Sequence, residues 1–347
     1  MTEPLSHPSS IAIVGAGIAG LACAATLLDA GHRVTLFDKG RSAGGRVATR
    51  RASRRADGPG ASFDHGAQFA TGRGAGFAAL LARLQDEGAV APWPAAQRGR
   101  DPVFTGVPGM SALPHAMAER IKAKGGVILA ERHVAWLHDG GVLRHLPASE
   151  ATPGSTQDHG GEVTGAFDAV LLAVPAPQAG PLLATRGSRF ASGLRDVVIA
   201  PCWAVMATFV APVVAADVIR PEGSPLGWIA RNSARPGHAA TPDAWVLHAS
   251  AAWSRAHLED SAEAVIPALM QAFEAVVGSS LPAATSVVGH RWRFALVETP
   301  LGQPCLWDAS EAIGVCGDWC LGPRVEAAYD SGIALATEVL AHAGLGQ

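Results

Sequence analysis

Residues Ser10–Asp38 read SIAIVGAGIAGLACAATLLDAGHRVTLFD, and this stretch decides the fold. Ile11–Val14 is an apolar run suited to a buried parallel strand. Gly15-Ala16-Gly17-Ile18-Ala19-Gly20 then opens a helix running to about Ala30, and Val34–Phe37 is a second buried strand ending at Asp38. Together they make a βαβ unit with a glycine fingerprint at its first turn. Gly15 allows the tight turn, Gly17 lets a pyrophosphate approach the backbone, and Gly20 lets the helix pack close to the strand. The helix N-terminus offers unpaired N–H groups to phosphates. Asp38 can accept hydrogen bonds from ribose hydroxyls. A bare GxGxxG also occurs in purely structural turns. Here the strand before it, the helix after it and the acid at the next strand end point to a dinucleotide.

At 347 residues, 48% of them hydrophobic, the chain can bury one large core or two coupled ones. A net charge of −3 carries no polyanion signature, so no nucleic-acid partner is expected. The only lysines are Lys39, Lys122 and Lys124. Five cysteines, an odd number without CxxC spacing, argue against a disulfide framework or a zinc knuckle. None of the thirteen histidines sits at HxH or HxxxH spacing, so no metal site is expected. Met1–Ser10 lacks the basic start of a signal peptide, and glycines interrupt the apolar stretch behind it. The expectation is a cytoplasmic protein with no membrane partner; the oligomeric state is not legible.

After Asp38 come Lys39 and the series Gly44-Gly45-Arg46, which would set a guanidinium beside the nucleotide phosphates. Arg50, Arg51, Arg54 and Arg55 read as an exposed charge run, and Phe63–Phe69 as a short strand and turn. The GxGxxG–Asp–GGR series resembles the FAD-dependent amine oxidase superfamily. The wording HGAQFAT at 65–71 is most similar to its renalase branch, especially the bacterial renalases. That resemblance implies one FAD, with Gly66, Ala67 and Gln68 against its isoalloxazine and the backbone of Val134 at its adenine. Attachment is expected to be non-covalent, because Cys316 and Cys320 flank the acid matched to ribitol binding.

Further along, Gly76–Gly88 reads as a helix, Pro92–Pro102 as loop, and Val107–Ser111 as a turn into a helix ending near Lys124. Val127–Leu137 gives one or two strands, and Ala148–Gly165 a polar surface turn. Phe167–Val174 is a buried strand returning to the nucleotide sheet, stopped by Pro175 and Pro177. Pro181–Leu194 reads as helical. Cys202–Val210, Leu226–Arg231, Trp245–Ser250 and Ser286–Phe294 suit an antiparallel sheet, with Ser261–Val277 as a core helix. Ile313–Asp318 is a strand ending in Gly317-Asp318, and Arg324-Val325-Glu326 opens a last helix. By resemblance Asp318 holds the ribitol, and the backbone near Val325 and Glu326 approaches the flavin pyrimidine edge, where a helix N-terminus favours negative charge. The fold class is α/β. A discontinuous Rossmann-type FAD-binding domain (1–75, 107–175 and 295–347) carries a substrate domain (76–106 and 176–294) built on a mixed or antiparallel sheet with helices.

Three functions are weighed. Renalase resemblance implies a flavin oxidase that takes hydride from dihydro-NAD(P) isomers reduced at the wrong ring carbon. It would return NAD(P)⁺ and pass electrons to molecular oxygen, giving hydrogen peroxide. The alternatives are an FAD amine oxidase on the same fold and an NAD-using or non-catalytic Rossmann protein. Against an amine oxidase, no lysine follows Lys124, Tyr329 is the only tyrosine, and no acidic cluster marks the substrate-domain strands. Against a simple NAD protein stand Gly44–Arg46 and Gly317–Asp318. Trp228, Arg231, Asn232, His248, Arg291 and Trp292 instead suit an anionic aromatic nucleotide. Strand alternation puts Val246, His248 and Ser250 on one side, and groups His290 with Trp292. His248 and Trp292 are expected to line the pocket, the indole on the dihydropyridine and the imidazole on its carboxamide.

Overall fold

The computed structural model describes residues 8–51, 60–151, 156 and 160–343, so Arg54 and Arg55 lie outside the described residues. The chain divides into two compact units. One comprises 1–45, 114–198 and 297–347, the other 46–113 and 199–296.

The first unit is built on a six-stranded sheet in the order 306–308, 313–315, 169–172, 10–14, 33–37, 127–129. All neighbours are parallel except Leu306–Asp308, which runs antiparallel at one edge. The central strands are buried on both faces, with Ile11, Ile13, Leu36 and Leu171 fully inaccessible, which is why their sequences are continuously apolar. The helix Ile18–Asp29 follows the first strand, and Val325–Ala343 follows the strand Ile313–Val315. The two helices approach closely because Gly332 has no side chain: a Cβ there would lie 2.1 Å from the Ala19 carbonyl oxygen.

Two parts of this unit differ from the expectation. Within the stretch read as a surface turn, Glu162–Thr164 is a strand, paired with Leu143–His145 of the hairpin Arg132–His138 and Val142–Pro147. The helix expected from Pro181 begins at Ala176, because Pro177 falls in its first turn, where a missing N–H costs nothing. It ends at Thr185, whose Oγ1 accepts from Leu137 N at 3.1 Å. That anchorage places residues 176–198 in the nucleotide unit, where the sequence boundary had been drawn at 175.

The second unit carries a five-stranded sheet ordered 218–219, 226–231, 243–249, 198–209, 284–299. One face (Trp203, Val205, Ile229, Trp245, Leu247) packs on Val265, Leu269 and Phe273 of the helix Ala262–Val277. Burying each such side chain contributes about 1.5–3 kcal/mol. Ser261 caps that helix through its hydroxyl, and Gly278 closes it at φ +74°. The opposite face presents Met206, Ala244 and Val246 to Ala61 and Phe63. The strand Ser62–Asp64 therefore packs on the substrate sheet, and residues 46–51 and 60–75 cluster there rather than with the nucleotide sheet. Among the described residues no helix is long and apolar enough to cross a membrane.

Candidate active site

The glycine turn of the first unit has the geometry a pyrophosphate needs. Gly15 sits at φ +106°, its N–H bonded to the Phe37 carbonyl at 2.8 Å. A Cβ on it would come within 2.7 Å of the Ala173 carbonyl oxygen, so only glycine fits. Gly17 is the N-cap of the helix, without any side-chain cap, and a Cβ on it would meet nothing within 4 Å. Open space thus stands before uncapped N–H groups of the first turn, which include those of Ala19 and Gly20. Gly44 N–H donates to the Ala16 carbonyl at 2.9 Å, and a Cβ on Gly45 would lie 3.7 Å from the Gly17 Cα. The second glycine pair therefore borders the first turn. This cradle fits the diphosphate of FAD.

Asp38 closes the turn. One carboxylate oxygen accepts from Ala16 N and the other from Gly40 N, both at 2.6 Å. Each oxygen keeps a second lone pair for a ribose hydroxyl. Burial raises the Asp38 pKa, against the two backbone bonds and the Lys39 charge, and burial likewise lowers that of Lys39. The Asp38 carbonyl takes the Arg132 N–H at 2.8 Å, which brings the strand holding buried Val134 alongside. At the other end of the sheet Gly317 N–H donates to Ser331 Oγ at 2.9 Å, and Asp318 Oδ1 accepts from Trp319 N at 2.9 Å. Val325 and Glu326 open the last helix, with the Glu326 carboxylate buried 3.8 Å from Arg324 Nε. Burial pushes the Cys320 thiol up to about 12 and the Cys305 thiol to about 11, and raises the Cys316 thiol well above its ordinary value. All five cysteines are free.

In the second unit the turn Gly66–Gln68 is held on every side. A Cβ on Gly66 would lie 2.0 Å from the Arg46 carbonyl oxygen, and Ala67 N–H donates to that oxygen at 2.9 Å. The Arg46 guanidinium itself reaches the Ala295 carbonyl at 3.4 Å. The Gln68 amide is fully engaged. Its oxygen takes Trp228 Nε1 at 3.0 Å and Arg235 Nη1 at 3.2 Å, while its nitrogen donates to the carbonyls of Asp64 and Gly66. Arg235 Nη2 also donates to the Gln68 main-chain oxygen and, at 2.8 Å, to Thr105 Oγ1.

Beneath this turn Arg235 pairs with Asp64, Nε to Oδ2 at 3.4 Å, both side chains wholly buried. Asp64 also accepts from Thr49 Oγ1 at 2.5 Å and Met110 N at 2.8 Å, and lies 3.1 Å from His238 Nε2. Burial alone would raise its pKa, but Arg235, His238 and Thr49 together hold it below the usual carboxylate value. Neither Asp64 nor Arg235 was singled out in the sequence. Asp64 sits inside the Phe63–Phe69 motif and could have been; Arg235, in a Pro/Gly-rich loop, carries no such signal.

Of the substrate-side candidates, the sheet brings Trp228 and His248 together as a cross-strand pair, and His248 and Trp292 together at the His65 carbonyl. Trp292 also packs against His65 and His290, ring centroids 5.1 and 4.5 Å away. Arg231 is not part of this group. Its guanidinium lies over Trp245, donates to the carbonyls of Val213 and Ala215, and pairs with Asp217 and Asp243. Asn232 is buried with its amide nitrogen on the Ser62 carbonyl at 3.2 Å. Arg291 reaches the Leu258 carbonyl and Glu259.

The three histidines are electrostatically alike. Burial lowers His65 to about 4, with His290, His248 and Arg50 adding to it. Burial also lowers His248 to about 4, and burial with Arg50 lowers His290. All three rings are held toward the neutral form, and among the described residues the charged side chains acting on them are Arg50 and Arg235. Among the described residues no group of His, Cys, Asp and Glu could hold a metal ion.

Comparison with known proteins gives a consistent pattern. Residues 13–84 match the NAD(P)-binding Rossmann-like domain family, and residues 95–340 match the flavin containing amine oxidoreductase family. A putative L-amino-acid oxidase, YobN, of Bacillus subtilis is 51% identical over 45 residues, which is 13% of this chain and 9% of that protein. The L-amino-acid oxidase of Vipera ammodytes ammodytes is 47% identical over 49 residues, 14% of this chain and 10% of the relative. The similarity thus spans about a tenth of the length of these relatives. In fold the chain is similar to a putative protoporphyrinogen oxidase from Exiguobacterium sp. 255-15, with a TM-score of 0.68 at 14% identity over 96% of this chain and 99% of that one. A redesigned putrescine oxidase gives 0.61 at 14% identity, with the same two shares covered.

Proposed function

The chain belongs to the flavin containing amine oxidoreductase family, with FAD as its cofactor, and from that premise we propose that it oxidises dihydro-NAD(P) isomers reduced at the wrong ring carbon. The observation that carries this reading is the buried cluster of His65, His248 and His290 around Trp292, on which arginine acts and, among the described residues, no acid does. Among the described residues a protonated amine would find no free counter-charge there, because Asp64 beneath is already committed to Arg235. A dihydropyridine needs no base, because losing hydride restores its aromaticity without removing a proton. Bound FAD supplies the hydride acceptor and the route to oxygen. The chain's own part is to orient the ring, with Trp292 and His248 fixed on the His65 carbonyl and the Gly66–Gln68 turn locked by Arg235 and Trp228.

Amine or L-amino-acid oxidation is the second reading, favoured by the 45- to 49-residue matches to L-amino-acid oxidases. Anaerobic mixing decides between them. The flavin absorbance should bleach with 2- or 6-dihydro-NAD(P) and stay unchanged with L-amino acids, putrescine or aromatic amines. Bleaching by an amine and not by the dihydropyridines overturns the first reading.

A further inference from the structure

Trp228 is the centre of a second cluster within the substrate unit. Its ring centroid lies 5.6 Å from that of Phe69 and 6.3 Å from that of Trp93, and the Arg220 guanidinium carbon sits 4.4 Å over it. Arg220 Nη2 donates to the Ala96 carbonyl at 2.6 Å, two residues before the exposed Arg98. Burial and then the Arg98 charge lower the Arg220 pKa.

The other arginine–tryptophan stacks in this unit show what is unusual here. Arg231 over Trp245 has Asp217 and Asp243 at 3.4 and 3.6 Å. Arg235 over Trp93 has Asp64 at 3.4 Å, and Arg291 over Trp203 has Glu259 at 3.5 Å. Among the described residues no carboxylate lies within ion-pair distance of Arg220 or Arg98. A half-buried guanidinium with no carboxylate beside it is electrostatically incomplete. A planar anion would complete it through two parallel N–H···O bonds.

We propose that Arg220, backed by Arg98, binds the anionic group of the substrate beside the Trp228 indole. The shared chemistry is an oxyanion carried by an aromatic ligand. On the dinucleotide reading above it is a phosphate oxygen of dihydro-NAD(P), whereas an L-amino acid would offer its carboxylate. Trp228 connects the two places, since its Nε1 is bonded to the Gln68 amide of the turn while its ring face carries Arg220.

Binding of inorganic pyrophosphate and of benzoate to the FAD-loaded protein tests this by calorimetry, independently of any turnover. Pyrophosphate should bind the wild type, and Arg220→Gln should weaken it at least about tenfold, as loss of a charge-assisted pair implies. Arg98→Gln, at an exposed position where folding is not at stake, should weaken it by a smaller factor of about threefold. Preference for benzoate would assign the site to a carboxylate. If neither anion binds the wild type, or both variants bind them as the wild type does, the proposal is overturned. If Arg220→Gln does not fold, unchanged binding in Arg98→Gln and in Arg220→Lys overturns it. Kinetics give a second arm. With dihydro-NADP, KM should rise at least about tenfold in Arg220→Gln while kcat stays within about twofold, and a neutral N-benzyl dihydronicotinamide should be unaffected. Should no dihydropyridine reduce the flavin, the substrate reading fails while the binding arm still decides the anion site.

Discussion

His248 and Trp292 share one acceptor: Nε2 of the imidazole and Nε1 of the indole each lie 2.9 Å from the main-chain carbonyl oxygen of His65. A carbonyl oxygen can only accept, so His248 carries its proton on Nε2. Both side chains thereby fix the residue that opens the Gly66–Gln68 turn.

Truncating either partner should therefore loosen the same point. His248→Ala and Trp292→Ala are each expected to slow anaerobic flavin reduction at least about tenfold, near 1.4 kcal/mol in the barrier. Their double variant should fall short of the product of the two effects, because they act on one carbonyl. Stopped-flow absorbance at matched FAD content measures this; strict multiplicativity would mean the two residues act separately.

Asp38→Ala should shed cofactor. The carboxylate accepts from two backbone N–H groups of the turn and is expected to take ribose hydroxyls as well, and charge-assisted bonds of that kind are worth roughly 1.5–3 kcal/mol each. The variant should lose flavin on dilution and gel filtration while its circular dichroism stays native. In the wild type, acid precipitation should release all the yellow colour, since burial holds the Cys316 and Cys320 thiols protonated. Colour left in the pellet would contradict the non-covalent assignment.

Asp64 should set part of the acid stability. Its folded-state pKa is depressed, so the stability it contributes is fully present above the unfolded carboxylate value of about 4 and is lost as pH falls through the folded value. Asp64→Asn leaves the buried Arg235 unpaired and should cost about 3–5 kcal/mol at pH 7. The gap between wild type and variant in urea midpoint should shrink steadily below about pH 4. A constant gap across that range would mean that Asp64 is not charged in the folded protein.

Much of the fold was legible because it rests on local regularities. Glycine spacing, apolar runs and an acid at a strand end are interactions within a few tens of residues, and Ser10–Asp38 folds as its sequence indicates. Strand alternation also sorted the substrate sheet correctly. Trp245 and Leu247 lie in the helix-covered core, while Val246 and Val288 share the other face. The domain boundaries were less legible, because the turn following the nucleotide motif packs through Phe63 on strands that come well over a hundred residues later.

The sequence by itself determined the βαβ unit with its glycine turn and the class of cofactor. Only the tertiary structure decided which polar side chains are taken up by partners within the scaffold. Arg231 resembles a substrate contact in the sequence but is neutralised by Asp217 and Asp243, whereas Arg220 has no such partner among the described residues. Arg235 locks Gln68 across 167 residues of chain. The physical reason is that a charge is defined by its surroundings. Burial and counter-charge depend on distant segments brought together by folding, and no local pattern records them.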